Sequence, residues 1–381
     1  MNGAVGLLQK FEASRARPHT LKSTAWRALR EALGDSEAER LSSEPLGFAV
    51  SLLSDAIDAH GGSGQPAYHN EAHFKEAVLA MGALCSAEFE GHPDRSRLVA
   101  LGVIAMAGHD FLHDGTRNEP GKSLEENSFR ACLPLLRQAG LGQADVAAIE
   151  SVILGTEDRL LGANRAAYQA RQTGPLGREV DQLRMLANEA DLSASLLPGS
   201  GQKMGALLAS EWNAAGIEMG KTVASWAGRL GFLGFACTGS AAARAMGLEE
   251  ARDVQVRAFS RLASRLGAPS APEAAKRLDA IAADAGPKAA LSLYAGALAD
   301  ESPGWGAAAF GLRPVIGNAS PGDPAAQDRA IEALRRRTAE AQEPSAAMVD
   351  ISPKLQAFRM ARGMPCAVAA AVPAHGRKLS E

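Results

Sequence analysis

The stretch Leu98-Val99-Ala100-Leu101-Gly102-Val103-Ile104-Ala105-Met106-Ala107-Gly108 is almost wholly apolar and runs straight into His109-Asp110-Phe111-Leu112-His113. A segment that is apolar on every side reads as a helix buried on every side. It is therefore expected to deliver His109 and Asp110 into the interior, where charge must be paired or bound to a metal. Six of the eight histidines lie between His60 and His113. Two pairs, His69 with His73 and His109 with His113, have i, i+4 spacing, which on a helix points both rings at one centre. Neutral imidazole is the commonest protein metal ligand, and Asp110 adds a hard oxygen able to bridge two cations. One such pair alone is more often a solvated face or a core hydrogen bond. Two pairs, an adjacent Asp and an apolar helix before it favour the metal. His60 and His92, beside Gly and Pro, read as loop residues.

Outward from this segment the chain reads as helical throughout. Roughly a fifth of the residues are alanine, the best helix former. Ser23 or Thr24 is expected to cap a helix bearing Trp26, Leu29 and Leu33, with Gly34 as its stop. Leu46, Val50, Leu53 and Ile57 mark a second helix over 46–59, followed by a Gly-rich loop at 61–66. Further loops are expected at 115–123 and 174–177. No alternating run of β-branched residues calls for a sheet. The fold class predicted is all-α, a compact multi-helix bundle. Composition shifts after Gly267, where Pro269, Ser270 and Pro272 mark a boundary. The organisation expected is an N-terminal helical segment over 1–45, a catalytic domain over 46–266 and an Ala/Pro/Gly-rich extension over 267–381. That extension is expected to be partly helical, with a charged helix over 324–342 and a poorly ordered end.

The chain has 381 residues, 46% hydrophobic and 22% charged, with a formal net charge of −3. That balance disfavours a nucleic-acid binder held by a basic face, and 5% aromatics disfavour base-stacking platforms. No apolar run approaches the ~20 residues of a membrane span, and the first residues lack a secretory core. Four cysteines far apart give neither a CxxC zinc module nor a disulfide framework. The expectation is a cytoplasmic protein acting on a small molecule.

Tyr68-His69-Asn70-Glu71-Ala72-His73 resembles the YHNxxH motif of the class I cyclic nucleotide phosphodiesterases, within the wider HD-domain superfamily. His109-Asp110-Phe111-Leu112-His113-Asp114-Gly115-Thr116-Arg117-Asn118 is similar to that family's HDxxHxGxxN signature at every fixed position. Leu124-Glu125-Glu126-Asn127, Ile153-Leu154-Gly155-Thr156 and Ala190-Asp191-Leu192-Ser193 resemble its later segments, in family order. The resemblance covers roughly residues 46–247.

The resemblance implies an HD-type bundle with a metal site at its centre, where His73, His109, Asp110 and Asp191 hold a first divalent ion. Asp110 would also touch a second ion; zinc, magnesium and manganese are the candidates. His69 matches the general acid that protonates the leaving 3′ oxygen, and His113 and Glu126 would order water. Tyr68 and Asn118 belong to the motifs that face the substrate. Phe232 matches the family's stacking Phe, while Arg229 stands where the family has a purine-reading Gln. Arg has only donors, whereas an amide offers both a donor and an acceptor. The implied activity is hydrolysis of a 3′,5′-cyclic nucleotide to its 5′-monophosphate through a metal-bridged hydroxide. Arg229 keeps open a phosphohydrolase on another phosphate ester, and a metal-stabilised regulatory protein without turnover is the third reading.

Overall fold

The computed structural model describes residues 2–16, 19–60, 65–119, 123–170, 176–236 and 238–310. They hold α-helices and no strand, so the protein is all-α. In chain order the helices are α1 (Asn2–Ala16), α2 (Leu21–Leu33), α3 (Asp35–Ser42), α4 (Pro45–His60), α5 (Glu71–Glu88) and α6 (Arg95–Gly108). Next come α7 (Leu124–Gln138), α8 (Gln143–Gly155), α9 (Leu161–Ala170), α10 (Arg178–Leu196), α11 (Ser200–Ala214) and α12 (Gly220–Val223). The last are α13 (Trp226–Phe235), α14 (Ala241–Met246), α15 (Leu248–Arg265), α16 (Ala271–Ala285), α17 (Pro287–Glu301) and α18 (Pro303–Phe310). Most of the loop at 61–66, parts of the loops at 115–123 and 174–177, and the expected helix at 324–342 lie outside the described residues. No described helix is long and apolar enough to cross a membrane.

Helix α6 lies inside the compact unit that the described helices form. Every residue from Leu98 to Gly108 is buried, as a helix without a polar face requires. It packs against α4, α5 and α8. Two glycines permit the approach: a Cβ on Gly102 would lie 2.6 Å from the Met81 side chain, and one on Gly108 2.6 Å from Cys132 Sγ. Helix α5 lies between α2, α6 and α10, so the helices that begin, end or pass at the histidine cluster surround one another.

Local caps set the helix ends. The first N-cap of α2 is Thr20, not Ser23 or Thr24; its hydroxyl accepts from Ser23 N at 3.1 Å. The Asp58 carboxylate, from α4, takes the next free donors, Leu21 N at 2.7 Å and Lys22 N at 3.1 Å. Gly34 ends the helix with φ +87, as its sequence position suggests.

Helices on both sides of Gly267 share one hydrophobic core, which includes Phe259, Leu278, Tyr294 and Trp305. Asp279 of α16 even caps α13, accepting from Trp226 N at 2.7 Å and Ala227 N at 3.2 Å. The Pro-rich break after Gly267 is thus a turn inside the compact unit, and α16 to α18 are built into it.

Candidate metal centre

Neither histidine pair lies along a helix, which corrects the i, i+4 geometry expected of them. Asn70 is the N-cap of α5, its backbone extended and its Oδ1 accepting from Ala72 N at 2.9 Å and His73 N at 3.4 Å. His69 therefore precedes the helix, while His73 sits in its first turn. At the other end, α6 stops at Gly108, and Leu112 takes a left-handed φ of +65 that turns His113 off the axis. The rings consequently re-pair across the two helix ends. His73 meets His109, with centroids 5.3 Å apart, and His69 stacks on His113 at 3.7 Å and 21°.

His73, His109, Asp110 and Asp191 converge. His73 Nε2 lies 3.1 Å from Asp191 Oδ1, 3.3 Å from Asp110 Oδ2 and 3.3 Å from His109 Nε2. His109 Nε2 is 3.1 Å from Asp110 Oδ2 and 3.5 Å from Asp191 Oδ1. Cation bonds of ~2.1 Å give ligand–ligand edges of roughly 3.0 Å in an octahedron and 3.4 Å in a tetrahedron. The observed separations match both. His109 Nδ1 donates to Met106 O at 2.9 Å, which leaves its Nε2 lone pair aimed at the two carboxylates. Such an electron-rich centre, with both imidazoles 1% exposed, requires positive charge. Without metal, protons fill that need: burial lowers the His73 imidazole, but its bonds to Asp110 and Asp191 outweigh this and lift it to about 9. Burial likewise raises both carboxyls, and the imidazoles pull them well below the ordinary range. These four residues could hold a divalent cation.

Beside this centre, Asp110 is shared with a second group, His69 and His113. His69 Nε2 faces Asp110 Oδ2 at 3.9 Å, and its Nδ1 lies 2.5 Å from Glu211 Oε1. Glu211 Oε2 also accepts from Tyr68 N at 2.7 Å and His69 N at 3.0 Å, so one carboxylate fixes both the ring and its backbone. Glu211 is the functional candidate missing from the sequence reading. His113 Nδ1 accepts from Gly115 N at 3.0 Å, which leaves the proton on Nε2. Burial, then the adjacent His69, pushes the His113 imidazole down to about 4.

The remaining expected residues stand elsewhere. Tyr68 is buried, its hydroxyl 3.1 Å from Ser195 Oγ and its ring 4.8 Å from those of both His69 and His73, a buttress to the histidines. Asn118 staples a loop: it accepts from Leu124 N at 2.7 Å and donates to Glu125 Oε2 at 2.8 Å and Glu157 Oε1 at 3.0 Å. Glu126 is exposed and pairs with Arg130 at 2.9 Å, so Glu125 is the acid that turns inward. Burial, the largest influence, raises the Glu125 carboxyl. Arg229 is buried at the C-terminal end of α10, donating to Ser195 O, to Leu196 O at 3.2 Å and to Gln255 Oε1 at 2.5 Å. Phe232 is half-buried on the core, with the Arg229 guanidinium 5.5 Å from its ring centre. Their helix, α13, packs on α15 and α16. Compared with known proteins, the chain matches no protein-family model and no curated protein.

Proposed function

We propose that this chain is a metal-dependent phosphodiesterase that opens a 3′,5′-cyclic nucleotide to the 5′-monophosphate. One observation carries the reading: an imidazole held by a carboxylate, His69 on Glu211, faces the same Asp110 that belongs to the four-donor centre. His73, His109, Asp110 and Asp191 would hold one divalent ion, and Asp110 would face a second; zinc, manganese and magnesium are the candidates. When bound, such ions supply a nucleophile from water at neutral pH and neutralise charge on the phosphoryl oxygens. His69 holds a proton at Nε2 for the departing 3′ oxygen, with Nδ1 donating to Glu211. Glu211 accepts the Nδ1 proton and holds the ring in that orientation. His113, stacked on His69, offers an Nε2–H donor that stays uncharged at neutral pH. The cytoplasm fits the free thiols of Cys85 and Cys132.

Arg229 no longer favours a different phosphate ester, because both its terminal nitrogens are bonded, to two backbone carbonyls and Gln255. The test is turnover of cAMP, cGMP and bis(4-nitrophenyl) phosphate with added manganese, magnesium or zinc, with elemental analysis alongside. His69→Asn should cut nucleotide turnover by roughly 10²-fold or more with metal content intact. No hydrolysis of any of the three by metal-loaded protein would overturn the proposal in favour of a regulatory role.

A further inference from the structure

The charged side chains around the candidate centre are almost all committed. Arg130 pairs with Glu126, Arg159 with Glu157 and Lys75 with Glu71. Arg117 differs. Among the described residues its partners are an aromatic face and a thioether: the guanidinium carbon lies 5.3 Å from the centre of the Trp212 ring, and Nη1 is 3.1 Å from Met219 Sδ. An aromatic face holds a guanidinium in place without cancelling its charge, and leaves the in-plane N–H donors other than the one on Met219 free. The ring beneath contributes a second unspent donor, since Trp212 Nε1 is buried without a hydrogen-bond partner.

Position makes this pair relevant. Trp212 directly follows Glu211, the residue that holds His69, and Arg117 is four residues beyond His113. The loop that bears Arg117 lies on Glu211 itself: Gly115 has φ +77, and a Cβ there would sit 3.1 Å from Glu211 Cγ and 3.4 Å from Pro66 Cβ. The cation and the ring beneath it thus belong to the two chain segments that meet at Glu211.

We propose that Arg117, seated on Trp212, forms an oxyanion subsite that takes a phosphoryl group next to the metal centre. The planar fork of the guanidinium matches two oxygens of a tetrahedral phosphate. The inference rests on the phosphodiesterase reading for its relevance, although the anion chemistry stands on these residues alone.

The experiment measures inorganic phosphate binding by calorimetry on the full chain as purified, with metal content determined for each variant. Arg117→Gln should weaken phosphate binding at least tenfold at unchanged metal content. Arg117→Lys, which keeps the charge but loses the fork, should fall between. Equal phosphate affinity in wild type and Arg117→Gln overturns the subsite. KM for bis(4-nitrophenyl) phosphate then separates the sources of the phosphoryl group. A raised KM in Arg117→Gln assigns the contact to the scissile diester; an unchanged KM with weakened phosphate binding assigns it to the monoester product. Arg117-dependent phosphate binding without any diester turnover would sink the hydrolase reading and leave the subsite standing. Turnover with Arg117-independent phosphate binding would do the reverse.

Discussion

Replacing Glu211 by Gln isolates the one interaction on which the proposed acid depends. Glu211 takes three donors on two oxygens: Tyr68 N, His69 N and His69 Nδ1. Gln keeps the size but offers a single acceptor oxygen, so at least one donor must face an amide N–H. Whichever way the amide turns, either the backbone before α5 loosens or the His69 Nδ1 proton loses its acceptor. A hydrogen bond to a charged group contributes about 1.5–3 kcal/mol, which converts to roughly 10- to 150-fold in rate when the lost contact acts in the transition state. The assay is kcat on two phosphodiesters, a cyclic nucleotide with a poor leaving group and a nitrophenyl diester with a good one. The loss should appear on the first and be small on the second, because an activated leaving oxygen needs no proton. Metal content should stay constant, since Glu211 touches none of the four converging residues. Equal losses on both substrates would refute the acid reasoning, and loss of metal would show that Glu211 serves the centre itself. Burial raises the Glu211 carboxyl, but its bonds to His69 outweigh this and depress it. The dyad's contribution to stability is thus present above the unfolded carboxylate value and is lost as pH falls through the depressed one.

Metal uptake should depend on pH with a definite sign. A ligating imidazole must be neutral, and in the metal-free chain His73 is held up to about 9, so metal affinity should rise steadily between pH 6 and 9 in a calorimetric titration. The metal-free protein should run oppositely: its gain from charged His73 is complete below the unfolded value of 6.5 and is lost as pH rises through about 9, measurable as a falling Tm. Ending the chain at residue 266 should abolish soluble protein, because it strips Asp279 from the α13 cap and uncovers Trp226 and Phe259, each worth about 1.5–3 kcal/mol of burial. A folded, metal-loaded truncate would refute the shared core. Leu112→Gly should raise Tm slightly, since relief of ~1–2 kcal/mol of left-handed strain exceeds the entropic cost of glycine, whereas Leu112→Val should lower it.

The fold was legible because one helix has no polar side: the run from Leu98 to Gly108 leaves nowhere to place α6 except the centre. The four converging residues were legible through the motifs, but their geometry was not, since spacing alone cannot say where a helix begins. A signal did exist. Asn70, a strong N-cap type followed by Glu71, ends the extended segment after His69 and puts that histidine outside α5. Ser123 does the same for α7. Its hydroxyl accepts from Glu126 N at 3.2 Å, which makes Glu126 the third residue of the helix, turned back toward the cap and outward, and leaves Glu125 to face Asn118. Glu211 offered no such clue. It lies far along the chain from His69, in an ordinary amphipathic helix, and only the tertiary fold brings the two together.

Arg229 shows the opposite failure, a residue read as chemistry that turns out to hold the frame. No carboxylate neutralises it, and burial pulls its guanidinium down to about 10. What compensates the charge is the end of α10: Ser195 O and Leu196 O are carbonyls left without helical partners, at the pole where the aligned peptide dipoles are negative. A cation there stabilises the last turn of α10, and Gly201 leaves room for it, since a Cβ at that position would collide with the guanidinium. The same last turn carries Ser195, whose hydroxyl meets Tyr68 behind the rings of His69 and His73. One turn earlier stands Asp191, one of the two carboxylates of the candidate centre. Arg229 therefore reaches the candidate site through the placement of α10 and Tyr68, and a smaller neutral side chain there would alter the geometry of Asp191 before it altered any preference for a base.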